Sequence, residues 1–315
     1  MTPPAAAHNA RAMQKPPFTA RLWAELKPGG TFAEAIRGAT PRDADVLEIG
    51  PGAAPAFRRR DYPHLKVSDY CDSAALREQL QRQYPDSDLA PDLFDDIDYV
   101  CGDSRLAAVV PPGQRFDLIF SAHNIEHQPD LLEHLRSLQA LLKPDGAAAL
   151  IIPHKQRTFD LFRQPTTTSD VLMAHYGPPG LMSAKTLFDA DSHCAVAPPG
   201  VEYRFGPDDP VVLGELAPAY ERLRAVLQGE QAHPTYVHHQ HAFTPDSLQT
   251  LLIELYQLRL CTLLASLVSG AVGNSFMAVL QTVPWPEDPA EAAAHDQRLR
   301  ALRLGQYRRM AFPGR

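Results

Sequence analysis

The chain has 315 residues, of which 44% are hydrophobic and 21% charged, a balance typical of a folded globular protein. Its 30 basic and 37 acidic side chains leave a formal net charge of -7, which disfavours a nucleic-acid-binding surface. Four cysteines without C-x-x-C spacing, and no apolar run typical of a secretory signal or membrane span, predict a cytoplasmic protein without a disulfide framework.

Short apolar strands alternate with helices in the first half of the chain. The strands are predicted at residues 45–50, 65–69, 98–100, 116–121 and 147–152. Helix-like spacing of apolar residues predicts helices at residues 74–84 and 129–142. Residues 1–45 are predicted to be a partly mobile N-terminal segment with a short helix or two. Strands that alternate with helices in this way are typical of a parallel α/β sheet.

The alternation stops after the fifth strand and returns only at residue 244. Residues 153–243 are rich in proline, glycine and histidine, and long irregular segments of compact proteins are usually functional or disordered. We therefore predict that they form an inserted substrate-binding cap. The returning pattern is a helix and two strands, at residues 245–258, 260–267 and 275–282. The sheet domain then comprises residues 46–152 and 244–283, and residues 284–315 form an Arg-bearing helical tail.

The first predicted strand ends in a glycine turn. The run Glu48-Ile49-Gly50-Pro51-Gly52 brings an acid and two glycines to the carboxyl edge of the sheet, where open α/β folds bind ligands. Glycines lack side chains and let the backbone approach a ligand closely. By itself the pattern is a weak signal, because a plain turn between a strand and a helix also contains G-x-G.

The next three strands also end in polar side chains at this edge. Asp69 follows the glycines by about twenty residues, where an acid accepts hydrogen bonds from ribose hydroxyls. Asp103, followed by Ser104, ends the third strand, where an acid can face an adenine amino group. The fourth strand ends at Ser121 and continues into His123 and its neighbours. Suitable chemistry at four consecutive strand ends favours a nucleoside site over unrelated helix caps.

These motifs resemble those of the class I S-adenosylmethionine-dependent methyltransferases, over roughly residues 46–152. The run from Glu48 to Gly52 is similar to the family's first glycine motif. Residues 123–130, followed by 142–146, are similar to its signature I-E-H-x-P-D … L-K-P-G-G, with Asp145 in place of the first glycine. Residues 153–160 resemble a subgroup pattern, P-D-K-R-x-x-F-D. There His154 replaces the acid and Gln156 the arginine.

The resemblance implies a fold, a donor and a set of donor-binding residues. The fold is a Rossmann-like α/β sheet, mostly parallel with its last strand antiparallel, and the donor is S-adenosylmethionine. The implied donor-binding residues are Glu48, Gly50, Pro51, Gly52, Asp69, Asp103, Ser104, Ser121 and His123. The acceptor is predicted to be a small molecule or a glycan-like group, with O-methylation preferred over N-methylation. No nucleic-acid or membrane partner is expected.

Histidines are the candidate catalytic bases. Imidazole has an ordinary pKa of about 6.5 and can remove the proton of an acceptor hydroxyl near neutral pH. His123 and His127 follow the fourth strand, and alternation over residues 236–241 predicts a strand with His239 and His241 on one face. Two alternative roles remain open: His127 can anchor its loop by hydrogen bonding, and His123 can line the donor pocket.

Two further alternatives concern metal binding and catalysis. The set His123, Glu126 and His127, and the histidines of residues 238–241, each contain side chains that can bind a divalent ion. No metal ligand is assigned, because His-rich edges are often only solvated.

A non-catalytic nucleoside-binding or regulatory protein on the same fold is the rival function. A dinucleotide-dependent oxidoreductase is disfavoured, because Pro55 occupies the position of the third motif glycine.

Overall fold

A seven-stranded sheet forms the centre of the molecule. The structure is a computed structural model and describes residues 18–27, 29–86, 90, 92–102, 105–178, 180–196, 211–230 and 238–312. Its strands are β1 Val46–Ile49, β2 Leu65–Asp69, β3 Tyr99–Val100, β4 Phe116–Ala122, β5 Leu142–Pro153, β6 Ala195–Val196, β7 Val212–Leu213, β8 Leu263–Val268 and β9 Ser275–Thr282. The large sheet has the order β3-β2-β1-β4-β5-β9-β8, and β6 pairs separately with β7.

The strand directions confirm the expected fold class. Strands β1 to β5 pair in parallel, whereas β9 is antiparallel to both of its neighbours, β5 and β8. The sheet is therefore mostly parallel with its last strand antiparallel, as predicted. Parallel strands point their carboxyl ends to one edge, so the loops after β1, β2 and β4 converge there.

Helices cover the sheet and begin at the residue types that cap helices. They are α1 Phe18–Glu25, α2 Phe32–Ala39, α3 Ser73–Gln83, α4 Leu106–Val109, α5 Leu131–Leu141, α6 Thr168–Tyr176, α7 Leu181–His193, α8 Leu216–Leu227, α9 Pro245–Gln257 and α10 Pro289–Ala311. Asp72, Asp130 and Thr244 each accept a hydrogen bond from a backbone N–H in the first turn of α3, α5 and α9. Among the described residues, no helix is long and apolar enough to span a bilayer.

Alternate residues of the strands pack into cores on opposite faces of the sheet. Leu47 and Leu150 belong to the core that α5 and α9 cover, whereas Val46 and Ala149 belong to the core that α1 and α2 cover. This follows from the twofold side-chain period of a strand, because both faces of a parallel sheet are buried. Residues from Phe18 onward in the N-terminal segment are thus packed on the sheet, and residues 1–17 lie outside the described residues.

The fifth strand begins earlier than the sequence predicts. Leu142 already pairs with Phe116, across an irregularity in the β4 register. A Cβ atom at Gly146 would lie 2.8 Å from the Phe116 carbonyl oxygen, so this position requires glycine. The neighbouring Asp145 is exposed and can replace the glycine of the family signature without a clash.

The segment 153–243 contains more regular structure than its composition indicates. It includes α6, α7, α8 and the β6–β7 hairpin, and its two ends are joined to each other. The Lys155 N–H donates to the Phe243 carbonyl at 2.8 Å, and the Thr166 N–H donates to the Ala242 carbonyl at 2.9 Å. These bonds bring the end of the segment back to the carboxyl edge of the sheet, beside the β4 loop.

The C-terminal tail packs along α9. Leu299 of α10 is buried with apolar residues of α9, and Arg309 pairs with Asp246 at 2.9 Å. Arg303 and the Tyr307 hydroxyl both contact Glu254, at 2.9 and 2.8 Å. Arg303 and Arg309 therefore attach α10 to α9, whereas Arg300 pairs with Asp296 inside α10.

Candidate functional site

A cavity of about 740 Å³ opens at the carboxyl edge of the sheet. Its walls come from the ends of β1, β2 and β4 and from α3 and α5. They include the sequence-predicted residues Gly50, Gly52, Asp69, His123 and His127. The volume lies within the range of roughly 300–1,000 Å³ that small-molecule and cofactor sites occupy.

The glycine turn after β1 needs glycine for conformational and steric reasons. Gly50 has φ +66° and Gly52 has φ +52°, which is the left-handed region that side chains disfavour. A Cβ atom at Gly50 would also approach Asn124 Nδ2 to 3.2 Å, whereas nothing lies within 4 Å of one at Gly52. The turn therefore brings bare backbone to the cavity and leaves open space beside it.

Asp69 ends β2 on the cavity wall. Its carboxylate is buried and accepts a hydrogen bond from the Tyr70 backbone N–H at 2.7 Å. Burial raises the pKa of Asp69 to about 6, and hydrogen bonds from backbone N–H groups partly offset this increase. Near neutral pH the group is ionised and can accept hydrogen bonds from a ligand. Asp103 and Ser104, the predicted adenine-side residues, lie outside the described residues.

Three predicted donor-binding residues do not line the cavity, so their contact with a donor stays a prediction. Glu48 is buried, and its two oxygens accept hydrogen bonds from the backbone N–H groups of Ala56 (2.6 Å) and Phe57 (3.3 Å). These bonds tie the segment after the glycine turn to β1. Pro51 is buried within the turn, and Ser121 is buried inside β4, which continues to Ala122. The side chains face protein, because strand and turn geometry directs them away from the cavity.

The loop after β4 brings two histidines to the cavity wall. His123 has a φ of +50°, which is uncommon for a residue with a side chain, and its Nε2 lies 2.9 Å from the Ser275 hydroxyl. His127 Nδ1 lies 3.3 Å from the His238 carbonyl oxygen, so Nδ1 carries the proton and donates it. Burial lowers the pKa of both imidazoles, that of His127 to about 4, so both are neutral near pH 7.

The side chain of Glu126 lies behind these histidines. Its carboxyl group is completely buried, and neither oxygen has a hydrogen-bond partner among the described residues. Three imidazole nitrogens surround Oε1: His123 Nδ1 at 3.8 Å, His127 Nε2 at 3.8 Å and His239 Nε2 at 3.9 Å. Burial, together with the charge of Asp160, raises the pKa of Glu126 to about 8. We call Glu126, His123, His127 and His239 the Glu126 cluster.

His239 joins the cluster from the end of the inserted segment. Its Nδ1 lies 2.5 Å from Asp160 Oδ2, and Asp160 is in turn paired with Arg163 at 2.7 Å. The same guanidinium donates to the His239 carbonyl at 2.8 Å. The ring of His239 is thus held by a buried ion pair, with Nε2 directed at Glu126.

His241 does not accompany His239, contrary to the sequence prediction. Residues 238–241 form no strand, and all four are buried; their neighbours 236 and 237 lie outside the described residues. Arg163 binds carbonyls of this segment, and the His241 N–H donates to the Glu126 carbonyl, so no strand ladder forms. The His241 side chain lies away from the main cavity, with Nε2 2.8 Å from the Gln128 carbonyl oxygen. We therefore leave His241 out of the candidate catalytic set.

Several cavity residues were not predicted from the sequence. Tyr70, Asn124 and Gln128 line the cavity, and each is next to or inside a motif that was identified. Asp160 is the closing acid of the run at residues 153–160, but its partner His239 is 79 residues away. The three residues beside known motifs could therefore have been predicted from the sequence. The pairing of Asp160 with His239 could be found only from the structure.

Comparison with known proteins identifies a family. The model of the family described as Methyltransferase domain matches residues 8–260, which include the inserted segment. A search of curated proteins finds no match.

Solved structures of similar fold are distant. CcbJ methyltransferase from Streptomyces caelestis has 13% identity and a TM-score of 0.37, over 78% of this chain and 90% of that one. An S-adenosylmethionine-dependent methyltransferase from Clostridium acetobutylicum has 9% identity and a TM-score of 0.34, over 76% and 84%. The glycopeptide N-methyltransferase MtfA, complexed with S-adenosylhomocysteine, has 11% identity and a TM-score of 0.36, over 80% and 86%.

Proposed function

The chain belongs to the methyltransferase-domain family, and we propose that it transfers the methyl group of S-adenosylmethionine to a hydroxyl of a small-molecule or glycan-like acceptor. The observation that carries the proposal is the juxtaposition, on one cavity wall, of the glycine turn, Asp69 and the histidines of the Glu126 cluster. Because the family is enzymatic, a regulatory protein without turnover is not retained as an alternative.

The cavity fits the methyl donor on three observations. Gly50 and Gly52 present backbone with open space beside it. Asp69 supplies a carboxylate that can accept hydrogen bonds from ribose hydroxyls. The cavity volume suits a nucleoside-sized ligand. When bound, the donor supplies a sulfonium methyl group with a good leaving group. The protein then needs to orient the acceptor and exclude water, and correct positioning supplies much of the rate.

We propose that the acceptor binds at the side of the cavity where His123 and His127 lie. A hydroxyl must lose its proton to become a good nucleophile, and the neutral imidazoles of His123 and His127 have the chemistry to promote that loss. His239 supports the cluster from behind through Asp160. This arrangement is the reason for preferring a hydroxyl over an amine. His241 is left out, because its imidazole faces the Gln128 carbonyl.

Calorimetry followed by a methyl-transfer assay tests the proposal. We expect the full chain to bind S-adenosylmethionine and S-adenosylhomocysteine but not NAD. A panel of hydroxyl and amine acceptors is then incubated with the donor, and added methyl groups are detected by mass. Binding of NAD without either sulfur nucleoside contradicts the donor assignment. Methylation confined to amines contradicts the hydroxyl assignment and leaves the donor site in place.

A further inference from the structure

We propose that the Glu126 cluster binds one divalent transition-metal ion, with the Glu126 carboxylate, His127 Nε2 and His239 Nε2 as ligands. These three ligand atoms lie within 4.8 Å of one another. They come from the β4 loop and from the end of the inserted segment, so the site unites parts of the chain that are more than a hundred residues apart. Its role in acceptor activation rests on the proposed function, whereas metal binding itself does not.

The first observation is the isolated carboxylate of Glu126. Both oxygens are buried without a donor among the described residues, and the residue has no exposed surface. A buried carboxylate without a partner costs much free energy, and native proteins avoid it unless an ion or a proton is bound. The fold therefore holds a carboxyl group, which is a strong metal ligand once ionised, in a place where no described protein group satisfies it.

The second observation is the direction of the imidazole lone pairs. His127 Nδ1 faces a carbonyl oxygen, and His239 Nδ1 faces a carboxylate oxygen, so both Nδ1 atoms carry protons. A neutral imidazole with its proton on Nδ1 has its lone pair on Nε2, and both Nε2 atoms approach the same oxygen of Glu126. Three possible ligand atoms thus face one another, as the binding of a single cation requires.

Distance favours a metal ion over a shared proton. The Nε2 to Oε1 separations of 3.8 and 3.9 Å are too long for hydrogen bonds. A tetrahedral ion bound at about 2.0–2.2 Å from each ligand holds the ligand atoms about 3.3–3.6 Å apart. The two nitrogen–oxygen separations exceed this spacing by only a few tenths of an ångström. Two imidazoles and one carboxylate suit zinc and its neighbours in the first transition row better than magnesium or calcium.

The surroundings of His239 match those of a metal-bound imidazole. Histidine ligands commonly donate their other N–H to a carboxylate, which orients the ring and makes the ligating nitrogen more basic. Asp160 does this for His239, and Arg163 holds Asp160 in place. Asp160 is thus a positioning residue for the proposed site.

The proposed site is closed on the protein side and open on the cavity side. His239 and Glu126 are buried, whereas His123 and His127 line the cavity. An ion with three protein ligands keeps a free position, as in catalytic metal sites, and here that position faces the acceptor end of the cavity. A hydroxyl bound there has a lowered pKa and loses its proton to solvent more readily.

Cobalt titration of the full chain, freed of metal by a chelator and without an affinity tag, tests the site. Co²⁺ occupies zinc-type sites and gives visible absorption, so binding is read without any activity assay. We expect one equivalent to bind. Glu126→Gln and His239→Gln should each weaken binding by at least about 10–100-fold, and Asp160→Asn by about 10–100-fold. His241→Gln is the matched control, because it is buried in the same segment but faces Gln128. Circular dichroism checks that every variant is folded.

Three results overturn the proposal: no saturable Co²⁺ binding by the wild-type chain, unchanged binding by folded Glu126→Gln, or an equal loss in His241→Gln. Calorimetry with S-adenosylhomocysteine on the metal-free chain separates this proposal from the proposed function. Nucleoside binding without Co²⁺ binding defeats only the metal site. Co²⁺ binding without nucleoside binding supports the metal site and defeats the donor assignment.

Discussion

Two buried glutamates at the carboxyl edge of the sheet differ in their hydrogen bonding. Glu48, at the end of β1, accepts two backbone N–H groups, whereas Glu126, after β4, accepts none from the described residues. Burial raises the pKa of both, to about 7 for Glu48 and about 8 for Glu126. Both glutamates are buried, but the carboxyl group of Glu48 is hydrogen-bonded to its own loop, whereas that of Glu126 has no hydrogen-bond partner among the described residues.

The difference separates the two halves of the site. In the half formed by the glycine turn, Glu48 accepts hydrogen bonds from residues within nine positions in the chain, so this half is held together by local contacts. The Glu126 half is built from three distant segments and leaves its carboxylate unsatisfied. We infer that the first half is a rigid frame for the donor and that the second is where chemistry takes place.

The largest expected effect is on stability and has opposite outcomes for the two glutamates. Glu48→Leu removes the acceptor of two buried N–H groups, and at about 1–3 kcal/mol for each group it should destabilise the fold by about 2–6 kcal/mol. Glu126→Leu removes an unsatisfied buried carboxylate and should leave the metal-free chain equally or more stable. Urea unfolding in the presence of a chelator measures both. Equal destabilisation by the two substitutions would show that the two buried carboxyl groups do not differ in their contribution to stability.

Turnover gives the second test. His239→Ala removes a member of the Glu126 cluster and should lower methyl transfer by about 10²-fold or more, the scale of a lost acid–base group. Affinity for S-adenosylhomocysteine should stay the same, because His239 does not line the cavity. His241→Gln, in the same segment, should keep wild-type turnover. If His239→Ala lowers only stability, with normal turnover per folded molecule, the cluster is structural.

Donor affinity gives the third test. Asp69→Ala should weaken S-adenosylhomocysteine binding by about 1–3 kcal/mol, the usual cost of losing a charge-assisted hydrogen-bond acceptor. Calorimetry measures the change, and Glu78→Gln, exposed on α3, is the control. A folded Asp69→Ala protein with unchanged affinity would show that Asp69 serves only its own loop.

The pH dependence of stability that belongs to Glu48 gives the fourth test. Its folded pKa of about 7 lies above the ordinary value of 4.5, so the folded chain keeps a proton that the unfolded chain releases in this range. Stability should therefore fall as the pH rises from about 4.5 to about 7, with a slope of at most about 1.4 kcal/mol per pH unit from this group. Glu48→Gln should remove that part of the slope in urea midpoints. An identical slope in both proteins assigns the dependence to other groups.

Much of the sheet could be predicted from the sequence. The strand at residues 275–282 matches β9, and the helix at 245–258 matches α9 to within one residue. Both patterns are local, because strand and helix periodicity and capping residues act over a few positions. Within residues 153–243, α7 and α8 were missed, since proline and glycine hide short amphipathic patterns. For the same local reason, Gly50, Gly52 and Asp69 could be placed at the cavity from chain order alone.

Other features were decided only by the tertiary structure. The sequence contains Glu48 and Glu126 as similar acids near strand ends, and His239 and His241 as equivalent members of one run. Glu48 is satisfied by its own loop, His241 faces Gln128, and His239 is held by Asp160 opposite Glu126. Local sequence determines where a strand ends, but the partner of a buried polar group comes from whatever segment packs against it. That choice belongs to the packed fold, because only burial makes an unsatisfied carboxylate costly enough to require a ligand.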